Sequence, residues 1–283
     1  MVAVDGAGHG AFSAVAALAA WLGLGMLSAA AEPVDVQLVL AVDVSLSMSG
    51  EELEIQRRGY AAALTHDSVL EAIADGAHGR IAVTYVEWAG VSMQRVVVPW
   101  TVIAGRSDAL RVVERMGAGP PNSARRTSIS AALEFAGDLF AESGFEGKRV
   151  IDISGDGPNN QGAPVAVIRD RLVGQGITIN GLPLMTRGGF TSSFDLADLD
   201  RYYGDCVIGG PGAFMIPVND WPQFPEAVRR KLVLELAGTG SPGRFAGEAG
   251  RPPVVLAAAG TDMDCLRGEK AWRDRLWRYD SDR

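Results

Sequence analysis

The stretch VQLVLAVDVSLSMSGEE, residues 36–52, decides the fold. Its first part, Val36 to Val42, is an almost continuous apolar run, which predicts a strand buried on both faces, as in parallel sheets. The segment Ser49-Gly50-Glu51-Glu52 matches a capping-box pattern and predicts the start of a helix. The unit is therefore a strand, a short polar loop and a helix. The end of the strand and the loop carry three short oxygen-bearing side chains, Asp43, Ser45 and Ser47.

The same alternation of strands and helices continues to about residue 238. Further strands are predicted at 81–86, 96–100, 150–153, 177–182 and 213–218, and further helices at 107–116, 129–140, 165–173, 195–203 and 221–236. The segment between the second and third strands is short and contains Gly90, which favours a hairpin. We therefore expect an α/β fold with a doubly wound, mostly parallel sheet, helices on both faces and one antiparallel edge strand.

Three parts are predicted along the chain: a signal peptide over 1–31, one domain over 34–238, and a linker with a C-terminal tail over 239–283. Residues 11–31 are uncharged and rich in Ala, Leu and Gly, and they end in three alanines that fit a cleavage site before Glu32. The residues before them contain no Lys or Arg, unlike a typical export signal, so a retained membrane anchor is the alternative. We expect a periplasmic or secreted protein that contacts the membrane only if this segment stays uncleaved.

Composition and charge narrow the class of protein. Hydrophobic residues make up 47% of the chain, enough for a sizeable core, and the formal net charge is −8 with a pI of about 5.0. This acidic balance argues against a nucleic-acid partner, which needs a basic face. The two cysteines, Cys206 and Cys265, either form a disulfide in an oxidising compartment or remain as two buried thiols.

The polar side chains after the first strand have counterparts in two later loops. Thr127 lies in ARRTSIS, just before a predicted helix, and Asp156 lies in SGDGPNN, just after a predicted strand. Ligands of open α/β sheets bind at the carboxyl ends of the strands, where we expect these loops to meet. The set offers carboxylate and hydroxyl oxygens, which suit Mg²⁺ best, with Mn²⁺ or Ca²⁺ as alternatives, and do not suit zinc or copper. The predicted metal ligands are Asp43, Ser45, Ser47, Thr127 and Asp156.

These five positions resemble the metal-ion-dependent adhesion site of von Willebrand factor A domains. The resemblance implies that the three hydroxyls contact the ion, that the two carboxylates hold it directly or through water, and that a partner carboxylate completes its coordination. A closer resemblance covers about 34–238, where VIDISGDGPNNQG, GITINGLPL and YYGDCVIGGPGAFMIPV are similar to a bacterial family of exported von Willebrand factor A-like proteins of unknown function. That family supports the fold and the metal site but supplies no biological role.

Neighbouring polar residues have simpler interpretations. The pair Asn159-Asn160 is expected to shape its loop rather than to line the site. The pair Arg125-Arg126 is expected to be solvated, although at a metal rim it would attract an acidic partner.

The leading hypothesis is an extracytoplasmic, metal-dependent protein-binding module whose protein partner presents an acidic residue. One alternative is a scaffold with a structural metal site and a binding surface elsewhere, such as the tail with Trp272 and Trp277. Another is a Mg²⁺-dependent hydrolase. We do not expect an enzyme, because the histidines lie away from the three loops and because Ser45 stands where a phosphoryl-transfer site usually has a second acid. The three histidines are His9, His66 and His78.

Overall fold

The computed structural model describes residues 31–119, 123–186, 196–236, 253–257 and 263–281. The predicted signal peptide lies outside these ranges except for Ala31. Within the described ranges, no helix is long and apolar enough to span a bilayer.

Seven strands form one sheet, in the order β3-β2-β1-β4-β5-β6-β7. The strands are β1 Glu32–Asp43, β2 Ile81–Trp88, β3 Gln94–Ile103, β4 Phe145–Gly155, β5 Thr178–Pro183, β6 Phe214–Met215 and β7 Val255–Leu256. The helices are α1 Gly50–Leu64, α2 Asp67–Ala74, α3 Arg106–Met116, α4 Ile129–Leu139, α5 Val165–Gly174, α6 Leu199–Tyr202, α7 Phe224–Leu236 and α8 Arg267–Ser281.

Strand β1 lies inside the sheet and pairs in parallel with both β2 and β4. Its alternate side chains enter different cores, since Leu40 packs on the face covered by α1, α2, α3 and α7, and Ala41 on the face covered by α4, α5 and α6. A strand buried on both faces needs apolar residues at nearly every position, which explains the run that the sequence shows. The predicted doubly wound parallel sheet is confirmed.

The edges of the sheet are antiparallel. Strands β2 and β3 form the predicted hairpin at one edge. At the opposite edge, β6 pairs antiparallel with β7 through the register Met215↔Val255. Strand β7 belongs to the segment for which the sequence predicted only a linker and a tail, so the structure adds a second antiparallel edge strand to the one expected.

Helix α1 begins as the capping-box pattern predicts. The Ser49 hydroxyl accepts a hydrogen bond from the Glu52 amide, and the Glu52 carboxylate accepts one from the Ser49 amide at 2.7 Å. These reciprocal bonds satisfy two amides at the helix start. Ser49 is therefore the residue that caps the helix. Asp43, Ser45 and Ser47 are not needed as the cap and are available for another role.

The two cysteines are joined. Cys206 and Cys265 form a disulfide with their Cα atoms 5.5 Å apart. Of the two alternatives that the sequence left open, the structure has the disulfide.

Candidate metal centre

Three loops meet at the carboxyl edge of β1 and β4. The first follows β1, the second precedes α4, and the third follows β4. Because β1 and β4 are parallel neighbours, with Val42 opposite Ser154, the first and third loops leave the sheet side by side. The second loop is held against the first by a bridge between Ser45 and Ala124 and by a 3.0 Å hydrogen bond from the Leu46 amide to the Ala124 carbonyl. The fold therefore brings all five predicted ligands to one edge.

Four of the predicted ligands form a chain of direct contacts. The Ser45 amide donates to Asp43 Oδ1 at 2.7 Å, and the Ser45 and Ser47 hydroxyls lie 2.9 Å apart. The Ser47 hydroxyl donates to Asp156 Oδ1 at 2.9 Å, across 109 residues of sequence. The chain turns after Ser45, where the Met48 amide donates to the Ser45 carbonyl at 3.0 Å, and this turn brings the Ser47 hydroxyl to Ser45 and to the loop after β4.

Thr127, the fifth predicted ligand, faces the same loop. A methyl group added at Gly157 would lie 4.0 Å from the Thr127 hydroxyl, so this hydroxyl borders the turn that carries Asp156. Thr127 is buried, and two hydrogen bonds with Asn160 hold its backbone. The Asn160 side chain accepts from the Thr127 amide at 3.1 Å, and the Asn160 amide donates to the Thr127 carbonyl at 2.9 Å.

Asn159 also forms hydrogen bonds that fix this loop, as expected of a loop-shaping residue. Its side chain accepts from the Ser130 amide at 3.0 Å and donates to the Ala163 carbonyl at 3.1 Å. The loop after β4 is thereby fastened to the start of α4.

The carboxylate of Asp43 is the least satisfied group of the site. Asp43 is 0% exposed, and although its Oδ1 is bonded to Ser45, its Oδ2 has no hydrogen-bond partner among the described residues. Burial raises the pKa of Asp43 well above its ordinary value and the nearby charge of Asp156 raises it further, while interactions with Ser45 and with the Asp156 backbone oppose the rise. An ionised carboxylate in such surroundings is costly unless a cation accompanies it. The orphaned oxygen therefore fits a metal ligand.

Gly155 makes room for this carboxylate, and the sequence reasoning did not identify it. A methyl group at this position would lie 3.0 Å from Asp43 Oδ2 and 2.8 Å from the Tyr203 hydroxyl. The Tyr203 hydroxyl is also buried without a hydrogen-bond partner among the described residues, and its pKa is raised by burial and by the charges of Asp43 and Asp156. In the sequence, the signs of these two residues are a glycine at the end of a predicted strand and the tyrosine pair that begins YYGDC.

The donor set fits a hard divalent cation. Within the described ranges, no cluster of three or more His, Cys, Asp or Glu side chains is placed to hold a metal. A cation at this place would need the hydroxyls in addition to the two carboxylates, and such a set of hard oxygen donors suits Mg²⁺.

The two arginines before Thr127 have different surroundings. Arg125 is exposed, whereas the Arg126 guanidinium carbon lies 3.3 Å from the centroid of the Trp272 ring. Arg126 has a φ of 81°, the single positive φ of a non-glycine residue in the described part of the chain. The expectation of a solvated pair is therefore wrong for Arg126, because a helix of the C-terminal segment packs on it.

The fold is that of a von Willebrand factor A-like domain. The chain matches the von Willebrand factor type A protein of Catenulispora acidiphila at 16% identity over 73% of this chain and 43% of that one, with a TM-score of 0.51. It matches the pilus adhesin SpaC of Lactobacillus rhamnosus GG at 12% identity over 73% and 30%, with a TM-score of 0.54. At these identities the likeness shows the fold, and each match spans less than half of the other protein.

Residues 33–240 match the family described as a protein of unknown function, DUF1194, and the chain belongs to that family. A comparison with curated proteins gives no significant match. The α/β fold and the von Willebrand factor A-like class that the sequence predicts are therefore confirmed.

Proposed function

We propose that this protein is a metal-dependent protein-binding module that works outside the cytoplasm. A divalent cation, Mg²⁺ in the first place, binds the five oxygen donors at the carboxyl edge of the sheet, and a carboxylate of a partner protein completes its coordination. The observation that carries this proposal is the fully buried Asp43 carboxylate, whose Oδ2 has no hydrogen-bond partner in the described part of the chain.

The chemistry of the donor set favours binding of an external anion. Two carboxylates balance the charge of a divalent ion, and neutral hydroxyls are weak ligands, so the ion would remain electrophilic. A carboxylate from outside is a strong ligand for such an ion. The sequence Asp43-Val44-Ser45-Leu46-Ser47 thus supplies both the ion-binding oxygens and, through Leu46, an apolar side chain at the same place.

The surface around the centre suits a protein partner. Leu46 stands between two of the hydroxyl donors and is 58% exposed. Arg125 is exposed one residue after Ala124, the residue that pairs with Ser45. An acidic segment with an apolar neighbour would contact the ion, Leu46 and Arg125 together, and the positive charge would favour its approach.

The proposal assigns binding rather than catalysis. The His66 side chain caps α2 by accepting from the Ser68 amide, and the His78 amide donates to Asp35 at the start of β1. Both therefore lie at the end of the domain away from the metal centre. General acid–base catalysis needs a titrating group within hydrogen-bond reach of the reacting atoms, and these two histidines are too far away to supply one.

Titration of the purified protein with Mn²⁺ and Mg²⁺ tests the metal site. We expect saturable binding of one ion to the wild type, and loss of binding in the double variant Asp43→Ala plus Asp156→Ala. Glu51→Gln is the matched control, because Glu51 is an exposed carboxylate of the adjacent helix α1, and it should bind as the wild type does. No saturable binding, or equal binding by the double variant, would sink the proposal.

Capture of a partner from the native envelope tests the second half of the proposal. The wild type should retain a protein in Mn²⁺ and release it in EDTA, and the double variant should retain none in either condition. Equal capture with and without EDTA would place the binding surface elsewhere.

A further inference from the structure

The C-terminal segment 263–274, called here the strap, contacts the two loops that carry Thr127 and Asp156. Glu269 Oε1 accepts a hydrogen bond from Asn159 Nδ2 at 2.7 Å, and Asn159 lies three residues after Asp156. The Trp272 ring stacks on the guanidinium of Arg126, and Arg126 lies one residue before Thr127. The strap therefore contacts a residue close in sequence to each of two proposed metal ligands, Thr127 and Asp156.

The contact between the strap and the loop after β4 is close. A methyl group added at Gly268 would lie 2.1 Å from the Asn159 carbonyl oxygen and 3.1 Å from the Pro158 side chain. The strap backbone thus approaches the loop more closely than any residue with a side chain could. Contact of this kind limits how far the loop after β4 can move.

The other end of the strap is anchored covalently. Cys265 is bonded to Cys206, which lies in a π-helical turn at Tyr203–Val207. Arg267 forms an ion pair with Asp198 at 2.9 Å. These two anchors attach the strap to the segment between β5 and β6. They fix the position from which the strap contacts the loops that carry Thr127 and Asp156.

Tyr202, next to this turn, links the anchor to the loop. Its hydroxyl accepts from the Asn159 amide at 3.2 Å and donates to the Cys265 carbonyl at 3.5 Å. Asn159 is therefore fastened from two sides, by Tyr202 at its backbone and by Glu269 at its side chain.

The second loop is held in an unfavourable conformation. Arg126 has a φ of 81°, in the left-handed region that residues with side chains seldom occupy. Such a conformation persists only where surrounding contacts determine it, and the stack on Trp272 is one such contact. Arg126 directly precedes Thr127, so its conformation affects the path of the chain at this predicted ligand.

We propose that the strap is a positioning element of the metal centre. By holding Asn159 and Arg126 from one rigid, disulfide-anchored segment, it keeps the loops of Asp156 and Thr127 in the arrangement that accepts the ion. The residues of the strap lie beyond 33–240, the range that matches the family. This inference rests on the proposed function, since it assigns a role toward the same ion.

Mn²⁺ titration of two variants at one position tests the inference. Glu269→Ala removes the acceptor for Asn159 Nδ2, whereas Glu269→Gln keeps a carbonyl oxygen there. We expect about tenfold weaker Mn²⁺ binding for Glu269→Ala, the low end of the loss for outer partners of a metal site because Glu269 acts through Asn159, and wild-type affinity for Glu269→Gln. Lys270→Ala is the matched control within the strap, because Lys270 pairs with Asp264 inside it, and its affinity should be unchanged.

The metal-free melting temperature separates positioning from general stability. Glu269→Ala should melt without metal at the temperature of Lys270→Ala and should gain less on Mn²⁺ addition than the wild type. A drop in the metal-free melting temperature with no change in Mn²⁺ affinity would show that Glu269 only stabilises the fold and would overturn the inference.

Release of the anchor gives an independent test. The double variant Cys206→Ser plus Cys265→Ser should bind Mn²⁺ more weakly than the wild type while keeping its far-ultraviolet circular dichroism. If this variant does not fold, the pair of Glu269 variants decides. Equal affinities of wild type, Glu269→Ala and a folded double-serine variant overturn the strap alone, whereas a wild type that binds no Mn²⁺ overturns the proposed function and the strap together.

Discussion

Two clusters of acidic side chains with buried members lie near β4, and they differ in where their positive charge comes from. In the first, the core cluster, Asp152 of β4 and Glu235 of α7 are both buried with Lys231 between them. The Lys231 ammonium lies 2.7 Å from Asp152 Oδ1 and also contacts Glu235. Asn180 Nδ2 donates to Glu235 at 2.8 Å. The chain thus supplies a cation for both acids and a donor for Glu235, and the oxygens that have no hydrogen-bond partner among the described residues, such as Asp152 Oδ2 and Glu235 Oε2, belong to carboxyl groups that contact Lys231.

The second cluster is the candidate metal centre at the end of the same strand. Burial is the main cause that raises the pKa of Asp43, as it is for Asp152. The strongest charged neighbour differs, because Asp156 raises the pKa of Asp43 further whereas Lys231 lowers that of Asp152. The comparison teaches that the buried acids of the core cluster are neutralised from within the chain, and that the buried carboxylate of the metal centre is suited to a cation from outside.

The largest expected effect comes from removing the internal cation. Lys231→Met keeps the volume but leaves two carboxylates buried without the ammonium, and we expect it to lower the free energy of unfolding by about 3–5 kcal/mol. Urea denaturation measures this loss. Lys148→Met, at an exposed position of β4, is the matched control and should change stability by less than about 0.5 kcal/mol. Equal losses for the two variants would show that Lys231 is not what compensates the core acids.

The core cluster also predicts how stability depends on pH. Burial, with Glu235 adding to it and Lys231 opposing it, raises the pKa of Asp152 to about 7. The folded protein therefore keeps a proton that the unfolded chain releases near its ordinary pKa of about 3.9. This contribution to stability is complete below about pH 4 and is lost as the pH rises through 7, by up to about 1.4 kcal/mol per pH unit.

Asp152→Asn removes that titration. The free energy of unfolding of the wild type, measured in EDTA between pH 4.5 and 7.5, should fall more steeply with pH than that of the variant. The difference between the two curves isolates Asp152 from the other carboxyl groups, including Asp43. Parallel curves would contradict a raised pKa at Asp152.

The sequence indicated which residues meet at the candidate metal centre but gave no sign of the core cluster, for a physical reason. The centre is built from short polar residues at strand ends, where the break in an apolar run shows that a side chain is not needed for packing. Lys231 and Glu235 lie one turn apart on a helix, and such a pair is typical of an exposed helix face. Only the packing of α7 over Asp152 shows that the pair is buried, and packing is a tertiary property.

The position of the strap could not be predicted from the sequence for the same reason. Its Trp272 and its acidic and basic residues fit either a docked helix or a frayed tail, because nothing local distinguishes the two. What decides between them is a set of contacts with Asn159, Arg126 and Cys206, which are between 59 and 146 residues away in sequence. Loop-shaping by Asn159 was predictable from its residue type, but its partners were not.

The smallest expected effect sharpens the comparison at the metal centre itself. Asp43→Asn keeps an oxygen for the Ser45 amide and removes a buried acid whose ionisation is opposed by burial and by Asp156, so in EDTA at pH 7.5 it should raise the free energy of unfolding by about 1–2 kcal/mol. Asp35→Asn is the contrasting control, because both carboxylate oxygens of Asp35 accept backbone amides, and it should lose stability in EDTA and in Mn²⁺ alike.

Addition of Mn²⁺ should reverse the order of the wild type and Asp43→Asn. An ion that binds only the folded wild type stabilises it by about 2.7 kcal/mol at a concentration one hundred times its dissociation constant, whereas the variant gains little because a neutral amide is a poor substitute for the carboxylate. Parallel urea denaturation curves in EDTA and in Mn²⁺ measure both orders. If Asp43→Asn is less stable than the wild type without metal, then the chain itself already compensates the Asp43 charge. The contrast with the Lys231 cluster would then be lost.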